Sequence, residues 1–162
     1  MAEYLERGTR APDFEAHDQD GHVVRLGDLA GRPVVLYFYP ADETFGCTRE
    51  ACAFRDEFEE FRQIGATLLG VSPQDESSHR AFRAHHGLIF PLLADPTRTI
   101  INAYRANGLL GLTKRVTYVI GPDGTILDVI HPSDPKRHSR EALRVLEEHV
   151  GHGPTEPSPA AR

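Results

Sequence analysis

Pro33-Val-Val-Leu-Tyr-Phe-Tyr-Pro40-Ala-Asp-Glu-Thr44-Phe-Gly-Cys47-Thr-Arg-Glu-Ala-Cys52 joins an apolar run to a polar turn and then to the start of a helix. Val34 to Tyr39 is continuous, β-branched and aromatic, the composition of a strand buried on both faces. Pro40 removes a backbone donor and ends it. From Cys47 to Gln63 the apolar residues Ala51, Phe54, Phe58 and Phe61 recur three and four apart, with acids and arginines between them. That spacing predicts a helix over 47–63, closed by Gly65 as its C-cap.

Outward from this unit the chain continues to alternate. Upstream, Asp18-Gln-Asp-Gly21 reads as a tight turn between extended pieces at Phe14–His17 and His22–Leu26. Downstream, Thr67–Ser72 predicts a second buried strand, and Asp75–His86 a helix with acids and serines in its first turn. Phe90–Ala94 is short and extended, and Asp95–Tyr104 reads as a turn with a brief helix. Arg115–Ile120 and Thr125–Ile130 flank Gly121-Pro-Asp-Gly124, a strong hairpin signal, and Ser139–Val150 predicts a last helix with Leu143, Val145 and Leu146 to pack. This order predicts an α/β, thioredoxin-like fold, with a central mixed β-sheet flanked by helices and an N-terminal β-hairpin extension. Residues 1–150 read as one domain and 151–162, rich in Gly, Pro, Ser and Ala, as a disordered tail.

At 162 residues the chain supports one sizeable core, and 40% hydrophobic content argues against global disorder. A net charge of −6 disfavours nucleic acid and anionic membrane as partners. The longest apolar run is too short to span a bilayer, and the first residues carry mixed charge without an apolar centre. The default location is therefore a reducing cytoplasm. The nine histidines are scattered, and His85 and His86, adjacent on a predicted helix, should point in different directions. Surface or capping roles are expected for them, and Lys136-Arg137-His138 reads as a solvated approach to the last helix.

Cys47 and Cys52 are the only cysteines, too few and wrongly spaced for a structural metal centre. A close pair of thiols in a reducing compartment points to redox chemistry. At ~100° per residue, Ala51, Phe54, Phe58 and Phe61 fall within about 40° of Cys47, and Cys52 lies about 140° away on the polar face. Cys47 heads the buried stripe at the helix N-terminus, where unpaired N–H groups favour a thiolate. Cys52 gains little from that field, so Cys47 is the expected nucleophile and Cys52 its resolving partner. In an intact helix their Cα atoms would be roughly 8.6 Å apart, beyond the ~4.4–6.8 Å a disulfide needs. Closing the pair therefore requires the first turns to unwind. Around Cys47, the Thr44 hydroxyl can orient a peroxide, although Thr is also a common N-cap. Pro40 can shield the sulfur or merely end a strand. Gly46 permits a close backbone approach by substrate or merely a turn. Arg115 can face the thiolate or merely mark a strand end.

Taken jointly, Pro40-x-x-x-Thr44-x-x-Cys47 resembles the active-site signature of the peroxiredoxins, and Cys47-x-x-x-x-Cys52 the spacing of their bacterioferritin-comigratory-protein (PrxQ) branch. Tyr37-Phe-Tyr-Pro40, Glu50-Ala-Cys-Ala-Phe-Arg-Asp56, Gly70-Val-Ser72, Phe90-Pro-Leu-Leu-Ala-Asp-Pro96 and Arg115-Val-Thr-Tyr-Val-Ile120 are similar to that branch too, so the likeness runs over residues 8 to 150. The resemblance implies a thiol peroxidase for hydrogen peroxide and organic hydroperoxides. Cys47 would be oxidised to a sulfenic acid, condense with Cys52, and be recycled by a thioredoxin- or glutaredoxin-like donor. Pro40, Thr44 and Arg115 match the family's pocket positions. No metal or organic cofactor is implied, and the assembly is expected to be a monomer or weak homodimer. Two departures stand out. Phe45 replaces a usual proline, removing a stiff turn residue and adding an apolar wall, and Gly121 stands where an aspartate usually precedes the hairpin turn.

Three other readings compete. A thioredoxin-type dithiol oxidoreductase would want Cys-x-x-Cys and a proline where Thr113-Lys114 precede Arg115. A non-enzymatic redox sensor would use the same disulfide switch once per signal. A degenerate binding module would not keep Pro40, Thr44, Cys47 and Arg115 together.

Overall fold

The computed structural model describes residues 3–131 and 134–150; the tail assigned to 151–162 lies outside them. The strands are β1 (Glu15–His17), β2 (Val23–Arg25), β3 (Val34–Phe38), β4 (Thr67–Ser72), β5 (Leu92–Ala94), β6 (Val116–Ile120) and β7 (Ile126–Ile130). They form one sheet in the order β2-β1-β5-β4-β3-β6-β7. β3, β4 and β5 run parallel, β6 and β7 add antiparallel beside β3, and the β1–β2 hairpin joins β5 where His17 pairs with Ala94. The mixed sheet and the N-terminal hairpin are thus as the sequence predicts.

Period-two alternation sorts the side chains of β3 onto opposite sides. Val35, Tyr37 and Tyr39 enter one core with Phe54, Phe61, Phe82, Phe90, Val145 and Leu146. Val34, Leu36 and Phe38 enter the other with Phe14, Ile100, Ile101, Tyr104 and Tyr118. All six are buried, which explains why β3 reads as an unbroken apolar run. Each such side chain contributes about 1.5–3 kcal/mol on leaving water, so β3, buried along its whole length, is a firm base for the loop that follows it. No helix among the described residues is long and apolar enough to cross a membrane.

The helices are α1 (Phe45–Asp56), α2 (Phe58–Ile64), α3 (Glu76–His86), α4 (Thr99–Ala103) and α5 (Arg137–His149). The helix expected over 47–63 is two helices. It starts at Phe45 and breaks at Glu57, whose φ of −104° and ψ of 11° leave the α region. The break rotates the buried face. Phe58, central to the wheel, is only partly buried, whereas Ile64, about 100° from the Cys47 direction, packs inside. Periodicity tracks a straight helix and misses this turn, where Arg140 of α5 holds the Glu57 carboxylate at 2.9 Å. Gly65 closes α2 in the left-handed region, at φ 86°, as expected.

Candidate active site

The loop leaving β3 is pinned before it reaches Cys47. The Asp42 carboxylate accepts hydrogen bonds from Tyr39 Oη (2.7 Å) and Ser78 Oγ (2.7 Å) and faces His79 Nδ1 at 2.7 Å, while the Asp42 amide donates to the Gln74 side chain. Burial works against the Asp42 charge, but the hydrogen bonds from His79, Tyr39 and Ser78 outweigh it and hold the carboxyl below its ordinary value. His79 is itself buried, with Nε2 on the Leu93 carbonyl at 3.0 Å. Pro40, half-buried, follows β3 and Tyr39 into this anchored loop.

Thr44 takes the N-cap position of α1 by backbone geometry alone. Its carbonyl accepts from the Thr48 amide at 2.9 Å, but its exposed hydroxyl makes no cap and donates to the Ala41 carbonyl at 3.0 Å. Phe45 occupies the first helical position, the one proline favours. It does not form the expected apolar wall: its side chain is 77% exposed and lies under the Arg49 guanidinium, 5.0 Å from the ring centroid. Cys47 is the third helical residue, so its own N–H has no partner within the helix.

Cys47 is 1% exposed, and Arg115 Nη2 reaches its Sγ at 3.6 Å. Gly46 makes that approach possible. A Cβ there would stand 2.9 Å from Arg115 Nη2 and 3.6 Å from Pro135, so the side chain it makes room for is the arginine. Cys52, one turn further, is half-buried, and both cysteines are free thiols. The structure therefore brings Cys47, Gly46 and Arg115 together, with Thr44 as the N-cap of the same helix and Cys52 further along it.

Sequence reasoning missed what lies behind them. Arg115 Nη1 donates to Glu50 Oε1 at 2.7 Å, and Glu50 is completely buried. Its Oε2 lies 3.4 Å from His138 Nδ1, which also meets Thr117 Oγ1 at 2.8 Å. His138 is therefore not part of a solvated approach but a fully buried residue at the start of α5. The signal for Glu50 was available: at three residues from Cys47 it shares the helix face that the stripe buries, and an acid there needs a partner. Nothing in the sequence linked His138 or Thr117 to that carboxylate, because the contacts cross α1, β6 and α5. A separate cleft lined by Arg10, Asp13, Leu29, Arg32 and Pro122 opens at the start of β3, at the opposite end from Cys47.

The two ends of the Arg115–Glu50 pair are pulled differently. Burial opposes the Arg115 charge, but Glu50 and Cys47 outweigh it and raise the guanidinium further. Burial pushes the Glu50 carboxyl up from 4.5 to about 8, with Arg115 only partly opposing it. Burial wins at Glu50, because the residue is wholly buried and its Oε2 has no hydrogen bond. The folded chain then keeps a proton on Glu50 that the unfolded chain has lost between pH 4.5 and about 8. Across that window the folded state binds more protons, so this group's contribution to stability is greatest below the window and falls as pH rises through it. Urea unfolding at pH 5 and pH 8 should show that decline, by up to a few kcal/mol at ~1.4 kcal/mol per unit. In Glu50→Gln the decline should be visibly shallower, and an unchanged slope would mean Glu50 titrates normally.

Fold and site together define a thiol peroxidase on a thioredoxin-like scaffold. The AhpC/TSA family profile matches residues 7–129, and the chain belongs to that family. Chloroplastic peroxiredoxin Q of Oryza sativa subsp. japonica is 41% identical over 146 residues, spanning 88% of this chain and 67% of the relative. The peroxidoxin BcpB of Mycobacterium tuberculosis superposes with a TM-score of 0.84 at 38% identity, covering 90% of this chain and 99% of that one. The bacterioferritin comigratory protein of Xanthomonas campestris, whose structure is described for its alkyl peroxide reduction activity, gives 0.83 at 28% identity over 90% and 99%. These likenesses place the chain with the peroxiredoxin Q branch of peroxiredoxins.

Proposed function

We propose that Cys47 is the peroxidatic nucleophile and Cys52 the resolving thiol of an intramolecular cycle acting on hydrogen peroxide and organic hydroperoxides. The observation that carries this reading is Arg115 Nη2 at 3.6 Å from Cys47 Sγ, with a second thiol five residues along the same helix. The Cys47 thiolate attacks the distal peroxide oxygen, the S–O bond forms as the O–O bond breaks, and the alkoxide or hydroxide leaves to take a proton. Arg115 faces the charge that gathers on the departing oxygen. The Thr44 hydroxyl, three residues before Cys47, turns from Ala41 to orient the peroxide, and Pro40 keeps water from the sulfur. The Cys47 sulfenic acid then condenses with the Cys52 thiol, forming a disulfide and releasing water. A thioredoxin- or glutaredoxin-like dithiol restores both thiols by exchange. The need for that donor supports a reducing compartment, the cytoplasm, and the family resemblance supports a monomer or weak homodimer.

The test is Cys52→Ser. This variant should consume one equivalent of peroxide per chain, leave a trappable sulfenic acid, and stop, even with donor present. In the unaltered chain, oxidation should strip amide-exchange protection from α1, because the thiols cannot meet across folded helix. Sustained turnover in Cys52→Ser would remove it as the resolving thiol, and equal protection in both redox states would refute the unwinding.

A further inference from the structure

Glu43, His85 and His86 converge on one point outside the cluster around Cys47. His85 Nδ1 lies 3.0 Å from Glu43 Oε2 and 3.1 Å from Oε1, and His86 Nε2 lies 2.9 Å from Oε1. One atom from each residue falls within 4.8 Å of the others. Adjacent residues on a helix should diverge, yet these are the last two of α3, and their ring centroids are only 4.2 Å apart. The carboxylate that gathers them comes from the loop after β3, more than forty residues away in sequence, which is why the sequence suggested only surface or capping roles for these histidines.

The backbone on both sides of the cluster is anchored by its neighbours. Glu43 sits between Asp42, buried and tied to Tyr39, Ser78 and His79, and the N-cap residue Thr44. The carbonyl of His86 accepts from Arg55 Nη1 at 2.7 Å. Glu43 also holds a left-handed backbone, at φ 63°, which costs about 1–2 kcal/mol. Exposed carboxylate–histidine pairing returns about 0–1 kcal/mol, so pairing alone gives little reason for the arrangement. A zinc-class ion offers a better one. Its imidazole and carboxylate ligands sit at ~2.0–2.2 Å, which puts neighbouring ligand atoms of a tetrahedral ion roughly 3.3 Å apart. The carboxylate-to-imidazole separations here need only a few tenths of an ångström of opening. The second group of this kind, Asp18, Asp20 and His22, differs in that the Asp18 carboxylate already accepts from the Asp20 and His22 amides within its turn.

We propose that Glu43, His85 and His86 bind a zinc-class divalent ion through two imidazole nitrogens and one carboxylate oxygen, with water completing the shell. Each ring presents a lone pair to the ion, so the proton now shared with Glu43 moves to the ring's other nitrogen or to solvent. The side chains of His85 and Glu43 are 66% and 45% exposed, so the ion reaches them without opening the fold. Once bound, it ties the segment carrying Thr44 to the end of α3.

Zinc chloride titrated calorimetrically into the full chain carrying Cys47→Ser and Cys52→Ser tests this without competition from the thiols. One equivalent should bind, and Glu43→Gln and His85→Ala should each weaken it at least about tenfold, the least expected for loss of a ligand when indirect partners alone cost 10–100-fold. Asp18→Asn should leave it unchanged. Circular dichroism of each variant verifies the fold. No saturable binding, or binding that survives both Glu43→Gln and His85→Ala, or binding lost with Asp18→Asn, would overturn the proposal.

Discussion

Replacing Cys47 with serine is expected to reduce peroxide consumption to the uncatalysed background. A hydroxyl in that position is nearly the same size, and the site is almost sealed from solvent, so the fold should survive with little repacking. What disappears is the nucleophile. An alcohol carries almost no alkoxide at neutral pH, whereas a thiol is partly thiolate and reacts well with peroxide oxygen. Cys52 cannot substitute, because it lies further along α1 and only Cys47 has the Arg115 contact. The check is peroxide loss followed with donor present, alongside circular dichroism to verify folding. Residual turnover above background would show that Cys47 is not the attacking sulfur.

Removing the Arg115 side chain should have the next largest effect, slowing single-turnover oxidation of Cys47 by about 10²–10³-fold, the usual scale for loss of one preorganised donor at developing charge. Arg115→Lys should fall between, since an ammonium keeps the charge but cannot reach sulfur and carboxylate together as the guanidinium fork does. Arg115→Ala also strands Glu50. That carboxyl, already pushed up to about 8 by burial, can take a proton instead of remaining an unpaired buried charge. The variant's loss of stability should therefore be smaller at pH 6 than at pH 9. Stopped-flow oxidation and urea unfolding at the two pH values separate these effects. An unchanged oxidation rate would remove Arg115 from the chemistry, whatever happened to stability.

Much of this was legible in the chain. The β3 run, the Gly121–Gly124 hairpin and the Gly65 cap all read correctly because each is a local pattern with a local cause. The structure also brings together Cys47 and Arg115, two residues the sequence singled out, across 68 positions of chain. What could not be read was set by contacts between distant elements. Glu57 breaks the helix where α2 turns to follow α5, and its carboxylate is gripped by Arg140 at 2.9 Å. His138 reads as one of a basic trio until β6 and α1 close over it, and His85 and His86 read as surface residues until Glu43 arrives from the loop after β3. Phe45 fooled the reading differently. Its hydrophobicity suggested a lining, but its position at the tip of α1 turns it outward.

The interruption at Glu57 also limits how far damage spreads. Helical hydrogen bonds form and melt cooperatively, so in one continuous rod the loosening that joins two sulfurs would travel into the turns beyond. Here the rod is already jointed. On the proposed cycle, the upstream segment would come apart while Phe61 and Ile64 stay seated downstream, leaving a template on which to rewind after each reduction.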